Sequence, residues 1–301
     1  MLKFPDDSQN PDNKLPEKGV LSCAQDLSKM SSSRHFGQSN AEVVAGSFQQ
    51  RALGIVHEEA NGLLIFKPPL SRPPRYQMRK KLLILDINGV LVDIVSPPPK
   101  DRKADINIAR RAVFKRPSYL DFMKFCFERF EVGIWSSRNG KNVQRMVDYL
   151  IGDLKHKLLF CWDLSRCTAS RFNTLENKHK PLVFKQLRRV WEKQDPNLPW
   201  ERGEYNESNT VLLDDSPYKA LLNSPHTAVF PHSYTYLDDK DTSLGTGGDL
   251  RNYLEGLAEA ENVQKYVGEN PFGQRPISEG SASWDFYHMV LDDYHSFSST
   301  I

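Results

Sequence analysis

KLLILDINGVLVD, residues 81–93, is the stretch from which the architecture of this chain can be worked out. Its four consecutive apolar residues, Leu82–Leu85, predict a strand buried on both faces, as in the centre of a parallel sheet. Asp86 follows directly, and open parallel sheets bind ligands at the carboxyl ends of their strands. An aspartate there would serve as a covalent nucleophile or as a ligand for a hard cation. The alternative is a solvated turn, because the pair Asn88-Gly89 is common in turns.

A second stretch, NTVLLDDSP at residues 209–217, repeats this pattern. Its apolar run ends in Asp214 and Asp215, and Pro217 then favours the start of a helix. Mg²⁺ is usually bound by one or two carboxylates together with water and phosphate oxygens. Two buried strands that each end in aspartate therefore predict a site for Mg²⁺ beside a phosphate.

Two further segments complete a set of four motifs. In chain order the motifs are DINGV at residues 86–90, VGIWSS at 132–137, FKQL at 184–187 and LDDSP at 213–217. The pair Arg116-Pro117, followed by an aromatic-rich segment, belongs to the same pattern. The set resembles the motifs of the haloacid dehalogenase superfamily. Within it, residues 80–260 resemble the homology domain of the RNA polymerase II C-terminal-domain phosphatases.

The resemblance implies an α/β fold: a Rossmann-like parallel sheet with helices on both faces and a small insertion between the second and third motifs. It also implies the roles of the site residues. Asp86 would be the nucleophile, Ser136 and Ser137 would bind phosphate, and Lys185 would stabilise the charge of Asp86 and of the phosphoryl group. Mg²⁺ would be the cofactor, and its ligands would be Asp86, the carbonyl of Asn88, Asp214 and Asp215.

Two of these assignments have competitors in the sequence. Lys180 lies five residues before Lys185 and could supply the same charge, although Lys185-Gln186-Leu187 matches the resembled motif better. Ser136 could instead cap the following helix, because serine is a preferred N-cap residue.

Asn88 departs from the resembled pattern. The family has an aspartate at this position, which protonates the leaving oxygen and later activates water. A carboxamide has no ionisable proton with which to do either. General acid–base catalysis typically contributes about 10²–10⁴-fold to a rate, so turnover should be slowed by about that factor.

Composition argues against nucleic acid and membrane as partners and favours an intracellular compartment. The formal net charge of +2 over 301 residues gives no bulk electrostatic reason to expect nucleic acid as a partner, and no run of 18 apolar residues predicts a membrane span. The four cysteines contain no Cys-x-x-Cys pair, which favours an intracellular protein of the cytoplasm or nucleus. Zinc remains an alternative through Cys161, Cys167, His156 and His179, although their spacing fits no familiar site.

Three regions are predicted along the chain. Residues 1–78 are polar and proline-containing and should be largely disordered with a linker, residues 79–268 should form the domain, and residues 269–301 should be a flexible tail. Asp6, Asp7 and Asp12, without arginine in the first 15 residues, argue against a mitochondrial transit peptide.

The segment between the second and third motifs corresponds to the insertion that selects peptide substrates in the resembled phosphatases. Phe160, Trp162 and Phe172 would line such a pocket, and Arg166 and Arg171 would attract phosphate. The alternative is an ordinary strand with a buried tryptophan.

Two functional classes follow. The first is a slow Mg²⁺-dependent phosphatase that acts on phosphoserine or phosphothreonine in proteins. The second is a protein-binding module of the same fold, similar to the receptor subunit of the mitochondrial inner-membrane presequence translocase; only this reading implies association with mitochondria. Between them lies a phosphoenzyme that forms but hydrolyses slowly.

Overall fold

The computed structural model describes residues 80–298, and the predicted disordered region 1–78 lies outside them. The strands of this part are β1 (Leu82–Leu85), β2 (Val92–Val95), β3 (Ile106–Ile108), β4 (Arg111–Lys115), β5 (Glu131–Trp135), β6 (Leu158–Trp162), β7 (Thr168–Asn173), β8 (Pro181–Phe184), β9 (Thr210–Leu213) and β10 (Ala228–Val229). The α-helices are α1 (Tyr119–Arg129), α2 (Gly140–Leu150), α3 (Arg188–Trp191), α4 (Asp249–Glu259), α5 (Val263–Glu269) and α6 (Trp284–Ser298). Short 3₁₀ helices cover Gly152–Lys157, Leu164–Arg166 and Pro217–Ala220.

The central sheet has five strands in the order β10-β9-β1-β5-β6, and every neighbouring pair is parallel. Strand β1 is therefore the middle strand, as its unbroken apolar run predicts. Its last residue, Leu85, lies opposite Leu213 of β9 and Ile134 of β5. This register brings the residues that follow the three strands to the same edge of the sheet.

Both faces of the sheet are covered, which confirms the predicted α/β architecture. Side chains alternate along a strand, so Leu83 and Leu85 enter the larger core with buried residues of α1, α2, α4 and α5. Leu82 and Ile84 point to the other face, where α3 and a long loop containing Trp200 complete a second core. All four β1 side chains are fully buried.

A three-stranded antiparallel sheet, β2-β4-β3, follows the first motif. Its position is fixed by Arg116, directly after β4, whose guanidinium donates two hydrogen bonds to the Asp241 carboxylate, at 2.9 and 2.7 Å. The third nitrogen of Arg116 donates to the carbonyl of Val90 at 3.2 Å. The pair is largely buried, with Arg116 4% and Asp241 10% exposed. It joins the loop after Asp86 to the segment before α4.

The insertion between the second and third motifs is the antiparallel hairpin of β7 and β8. The prediction that Phe160 and Trp162 line a substrate pocket is wrong. Both residues belong to β6 of the main sheet, and their rings pack against each other in the second core at 4.7 Å between centroids. The reading as a strand with a buried tryptophan is confirmed.

The other members of the predicted pocket are also engaged elsewhere. The guanidinium of Arg166 pairs with Asp195 at 2.6 Å, and that of Arg171 lies 3.4 Å from the Asp293 carboxylate. Phe172 packs edge-on against Phe286 of α6. The arginines therefore balance carboxylates of this chain.

Helix α6 occupies part of the region expected to be a flexible tail, residues 269–301. Tyr287 and Val290 of α6 are buried against β8 and Tyr218. Gln186 donates a hydrogen bond to the hydroxyl of Tyr294 at 2.7 Å. The reason for the difference is the helical spacing of these apolar residues, which the Gly- and Ser-rich stretch just before Trp284 conceals. Within residues 80–298, no helix combines the length and hydropathy that a bilayer crossing requires.

Candidate active site

Three carboxylates meet at the carboxyl edge of the central sheet. The backbone N–H of Asp86 donates to the carbonyl of Leu213 at 2.9 Å, and that of Asp214 donates to Val229 at 3.2 Å. These bonds continue the sheet by one residue and align the two aspartates. Oxygens of Asp86, Asp214 and Asp215 all lie within 4.8 Å of one another. The structure thus brings together the aspartates of the first and fourth motifs.

Lys185 reaches this cluster from the end of β8. Its ammonium lies 2.5 Å from Asp214 Oδ2 and 3.3 Å from Asp86 Oδ1, and its side chain is fully buried. Lys180 is exposed, and its ammonium lies 5.6 Å from the centroid of the Tyr218 ring. Of the two candidate lysines, Lys185 is therefore the one that contacts the carboxylates.

A second buried lysine, Lys219, was not foreseen from the sequence. Its ammonium donates to Asp86 Oδ2 at 2.5 Å and to Asp214 Oδ1 at 2.8 Å, and it lies 3.8 Å from Asp215 Oδ1. The sequence did contain a signal. Pro217 starts a helical turn, and residues four apart on such a turn face each other, as Asp215 and Lys219 do.

The two lysines control the charge of Asp86. Burial would raise the pKa of this carboxyl, but the ammoniums of Lys185 and Lys219 and the N–H of Ile87, 2.8 Å from Asp86 Oδ1, outweigh burial and hold the pKa below its usual range. Asp86 is therefore ionised at neutral pH, as a nucleophile must be.

The pKa values of Asp214 and Lys219, which contact each other and lie beside Asp86, are raised instead of lowered. Burial, and then the adjacent charge of Asp86, raise the pKa of Asp214 to about 6. Burial would lower the pKa of Lys219, but the charges of Asp214, Asp86 and Asp215 raise it well above its ordinary value. Lys219 is therefore a permanent cation in this cluster.

Asn88 holds the loop that follows Asp86. Its side-chain oxygen accepts a hydrogen bond from the N–H of Ile94 at 3.0 Å, and its backbone forms a bridge with Val92. The carboxamide thus stabilises the turn into β2 and offers no titratable proton.

Asp215 is positioned by three different segments. Its carboxylate accepts hydrogen bonds from the hydroxyls of Ser216 at 3.0 Å and Ser233 at 2.8 Å. Its main-chain carbonyl accepts from the side-chain amide of Gln274 at 2.7 Å, and the same amide donates to Pro231 at 2.8 Å.

Gly89 makes room for this arrangement. Its φ is +78°, and a Cβ added there would lie 1.9 Å from Asp215 Oδ2 and 2.6 Å from Ser233 Oγ. Any other residue would therefore clash with Asp215 and Ser233, and these side chains would have to move.

A left-handed backbone costs a residue with a Cβ about 1–2 kcal/mol. We expect Gly89→Ala to lower the free energy of unfolding by more than this amount, because the added Cβ also clashes with Asp215 and Ser233. Gly203→Ala is the matched control, because Gly203 has φ +81° and open space around it. Urea denaturation of both variants separates the two costs. Equal losses would show that Asp215 and Ser233 yield without cost.

The second motif lies at the same edge of the sheet. Ser136 follows β5, is buried, and its N–H donates to the carbonyl of Trp162 at 2.9 Å. Asn139, whose side chain accepts from the N–H of Asn142, caps α2, so the alternative of Ser136 as the cap is wrong. Ser137 is half-buried, and its phosphate-binding role, like that of Ser136, stays a prediction.

Arg138 is a further basic group that the sequence analysis missed. Burial, and next the charge of Arg111, lower the pKa of its guanidinium, while the charge of Asp86 acts in the opposite direction. The Arg138 guanidinium therefore lies within electrostatic range of the Asp86 carboxylate.

The donor set fits a hard divalent cation, because the three side chains offer only carboxylate oxygens. The absence of a Cβ at Gly89 leaves the space that the Asp215 carboxylate occupies. Among residues 80–298, Asp86, Asp214 and Asp215 are the one group of three or more acidic, histidine or cysteine side chains close enough to share a metal ion. The zinc alternative is therefore not supported in this part of the chain.

The chain is similar to known proteins along the segment that contains the four motifs. Residues 81–264, more than half of the chain, match the family model of the NLI interacting factor-like phosphatases. An FCP1 homology domain-containing protein of Schizosaccharomyces pombe is 27% identical over 208 residues, which cover 64% of this chain and 78% of that protein. Ubiquitin-like domain-containing CTD phosphatase 1 of Xenopus tropicalis is 25% identical over 66% of this chain and 56% of its own length. The match thus spans just over half of the frog phosphatase.

A solved structure of a variant of the fission yeast RNA polymerase II CTD phosphatase Fcp1, bound to beryllium fluoride, aligns with 73% of this chain and 64% of its own chain at 12% identity, with a TM-score of 0.34. The predicted resemblance to the C-terminal-domain phosphatases is confirmed by the family match and the curated relatives. The chain belongs to the family of NLI interacting factor-like phosphatases.

Proposed function

We propose that this protein is a slow, Mg²⁺-dependent phosphatase that acts on phosphoserine or phosphothreonine in proteins and uses Asp86 as its nucleophile. The observation that carries the proposal is the ionised, buried carboxylate of Asp86 at the end of the central strand, in contact with two ammoniums. Family membership supports the reaction class, and the relatives named as CTD phosphatases support a phosphorylated protein as the substrate.

The first step transfers the phosphoryl group to the enzyme. An oxygen of Asp86 forms a bond to phosphorus, and the bond from phosphorus to the serine or threonine oxygen breaks. The departing oxygen keeps the bonding electron pair and takes up a proton from solvent water, because Asn88 has no ionisable proton to donate. Lys185, 3.3 Å from Asp86, stabilises the charge of the phosphoryl oxygens, and Ser136 and Ser137 donate hydrogen bonds to them.

The second step is attack of water on the phosphorus of the aspartyl phosphate, which releases inorganic phosphate and restores Asp86. A bound Mg²⁺, held by Asp86, Asp214, Asp215 and the carbonyl of Asn88, would neutralise phosphoryl charge as a Lewis acid. Asn88 can neither protonate the leaving oxygen nor deprotonate the water, so both steps are slow.

A non-hydrolytic phosphopeptide-binding module is the second candidate. The observation in its favour is that the Asn88 carboxamide is engaged with Ile94 and supplies no acid, while the charged groups around Asp86 are retained. Such a module would bind phosphorylated peptide and release it unchanged.

Hydrolysis of p-nitrophenyl phosphate, with Mg²⁺ and with EDTA, separates the two candidates. We expect slow, Mg²⁺-dependent release of phosphate by the wild type and none by Asp86→Asn, because an amide does not replace the carboxylate nucleophile. Asp239→Asn, at an exposed carboxylate, is the control and should match the wild type.

Two results would count against the enzyme. An Asp86→Asn variant that keeps the wild-type rate would remove Asp86 from the chemistry. A folded wild type that releases no phosphate but binds a phosphoserine peptide would favour the binding module.

A further inference from the structure

Lys219 contacts the same carboxylates that would hold a divalent cation. Its ammonium lies 2.5 Å from an oxygen of Asp86, 2.8 Å from one of Asp214 and 3.8 Å from one of Asp215. Lys185 contacts Asp86 and Asp214 through their other oxygens, and no contact joins it to Asp215. Of these two lysines, only Lys219 lies close to all three carboxylates.

The position of Lys219 is fixed by its backbone. Its N–H donates to the carbonyl of Ser216 at 3.1 Å, and its carbonyl accepts from the N–H of Lys185 at 2.7 Å. The side chain is 3% exposed, so the ammonium is enclosed with the carboxylates instead of extending into water. A lysine so anchored is part of the construction of the site.

The net charge of the cluster also indicates that Lys219 supplies positive charge that a bound cation would otherwise supply. Three carboxylates and two ammoniums leave one net negative charge. Without Lys219 the net charge would be two negative, which a divalent cation would balance. Asn88 adds no charge at the position where the resembled motif has a carboxylate, so the cluster attracts a cation less for two separate reasons.

We propose that Lys219 is a resident cation of the active site, which occupies carboxylate oxygens that a divalent cation would otherwise take. This inference rests on the proposed function, because it concerns the metal site of that reaction. The site binds Mg²⁺ weakly, and Mg²⁺ enters only when the ammonium moves away from Asp86 and Asp215. Lys219 keeps Asp86 and Asp214 together in the absence of metal.

Isothermal titration calorimetry of Mg²⁺ and Ca²⁺ tests the proposal without any substrate. We expect Lys219→Met to bind each cation at least about tenfold more tightly than the wild type, because a unit positive charge within a few ångströms of the cation is removed. Lys185→Met is the matched control: it removes an equally buried ammonium that does not contact Asp215, so its gain should be smaller. The double variant Asp215→Asn/Lys219→Met should lose the gain.

Unchanged affinity in a folded Lys219→Met, or an equal gain in Lys185→Met, would overturn the proposal. Should Lys219→Met fail to fold without metal, crystals of the wild type soaked in Mn²⁺ give the answer from anomalous scattering. Mn²⁺ bound to Asp86 and Asp215 should be accompanied by a displaced Lys219 ammonium. Mn²⁺ bound there while the ammonium still contacts Asp86 and Asp214 would refute competition.

These readouts are independent of turnover. A wild type without phosphatase activity, together with a Lys219→Met variant of raised cation affinity, would reject the proposed function and retain this inference. An active wild type with unchanged affinity in Lys219→Met would do the reverse.

Discussion

Asn88→Asp is expected to raise the rate of phosphate-ester hydrolysis by about 10²–10⁴-fold, the usual contribution of a general acid–base group. The physical reason is that a carboxyl at this position can protonate the departing oxygen and then accept a proton from water. The side chains have the same shape, and the aspartate oxygen can still accept the hydrogen bond from Ile94 that the carboxamide oxygen now accepts. The loop after Asp86 should therefore keep its conformation.

Steady-state release of inorganic phosphate from a phosphoserine peptide by Asn88→Asp, compared with the wild type, measures this gain, because the serine oxygen needs a proton in order to leave. Asn107→Asp, at an exposed position on β3, is the control for adding a carboxylate, and its rate should not change. The double variant Asp86→Asn/Asn88→Asp should be inactive, since the new acid has no nucleophile to assist. A folded Asn88→Asp without gain would mean that another step limits turnover.

Asp241→Ala is expected to lower the free energy of unfolding by about 3–5 kcal/mol, because it leaves a buried guanidinium without its counterion. Arg116 donates two hydrogen bonds to Asp241 and a third to the carbonyl of Val90, in the loop after Asp86. The loss should therefore loosen that loop as well as the segment before α4.

Urea denaturation followed by tryptophan fluorescence measures the loss. Glu259→Ala is a suitable control, because it breaks the exposed pair of Glu259 with Arg129, in which the side chains are 74% and 40% exposed. Such surface pairs contribute about 0–1 kcal/mol. Equal losses in the two variants would show that burial of Arg116 adds nothing to the value of its pair.

The central strands and the acidic edge of the sheet could be predicted because the pattern that identifies them lies within each strand's own sequence. Leu82–Leu85 and Val211–Leu213 are continuous apolar runs that end in aspartate, and parallel pairing then places Asp86 beside Asp214. Lys185 was predictable only through the resemblance of Lys185-Gln186-Leu187 to the third motif of the family, because the local pattern alone left Lys180 as a competitor.

Other features depend on contacts between segments far apart in the sequence. Lys219 reaches Asp86, 133 residues away, only because a 3₁₀ turn folds it back over β9. The segment of Phe160 and Trp162 is compatible with both a pocket and a buried strand, because nothing within it reveals that β6 pairs with β5. The burial of Tyr287 likewise depends on β8, a partner that composition cannot identify.

The Gln274 side chain shows how far along the chain the contacts that position the candidate site extend. The match to the family model ends at residue 264. Beyond it, the side-chain amide of Gln274 donates a hydrogen bond to the main-chain carbonyl of Asp215, and the hydroxyl of Tyr294 accepts one from Gln186, the residue after Lys185. The third and fourth motifs thus make hydrogen bonds to residues that lie beyond the segment matched by the family model. The segment that positions Asp215 therefore extends at least to Gln274, beyond residue 264, where the match to the family model ends.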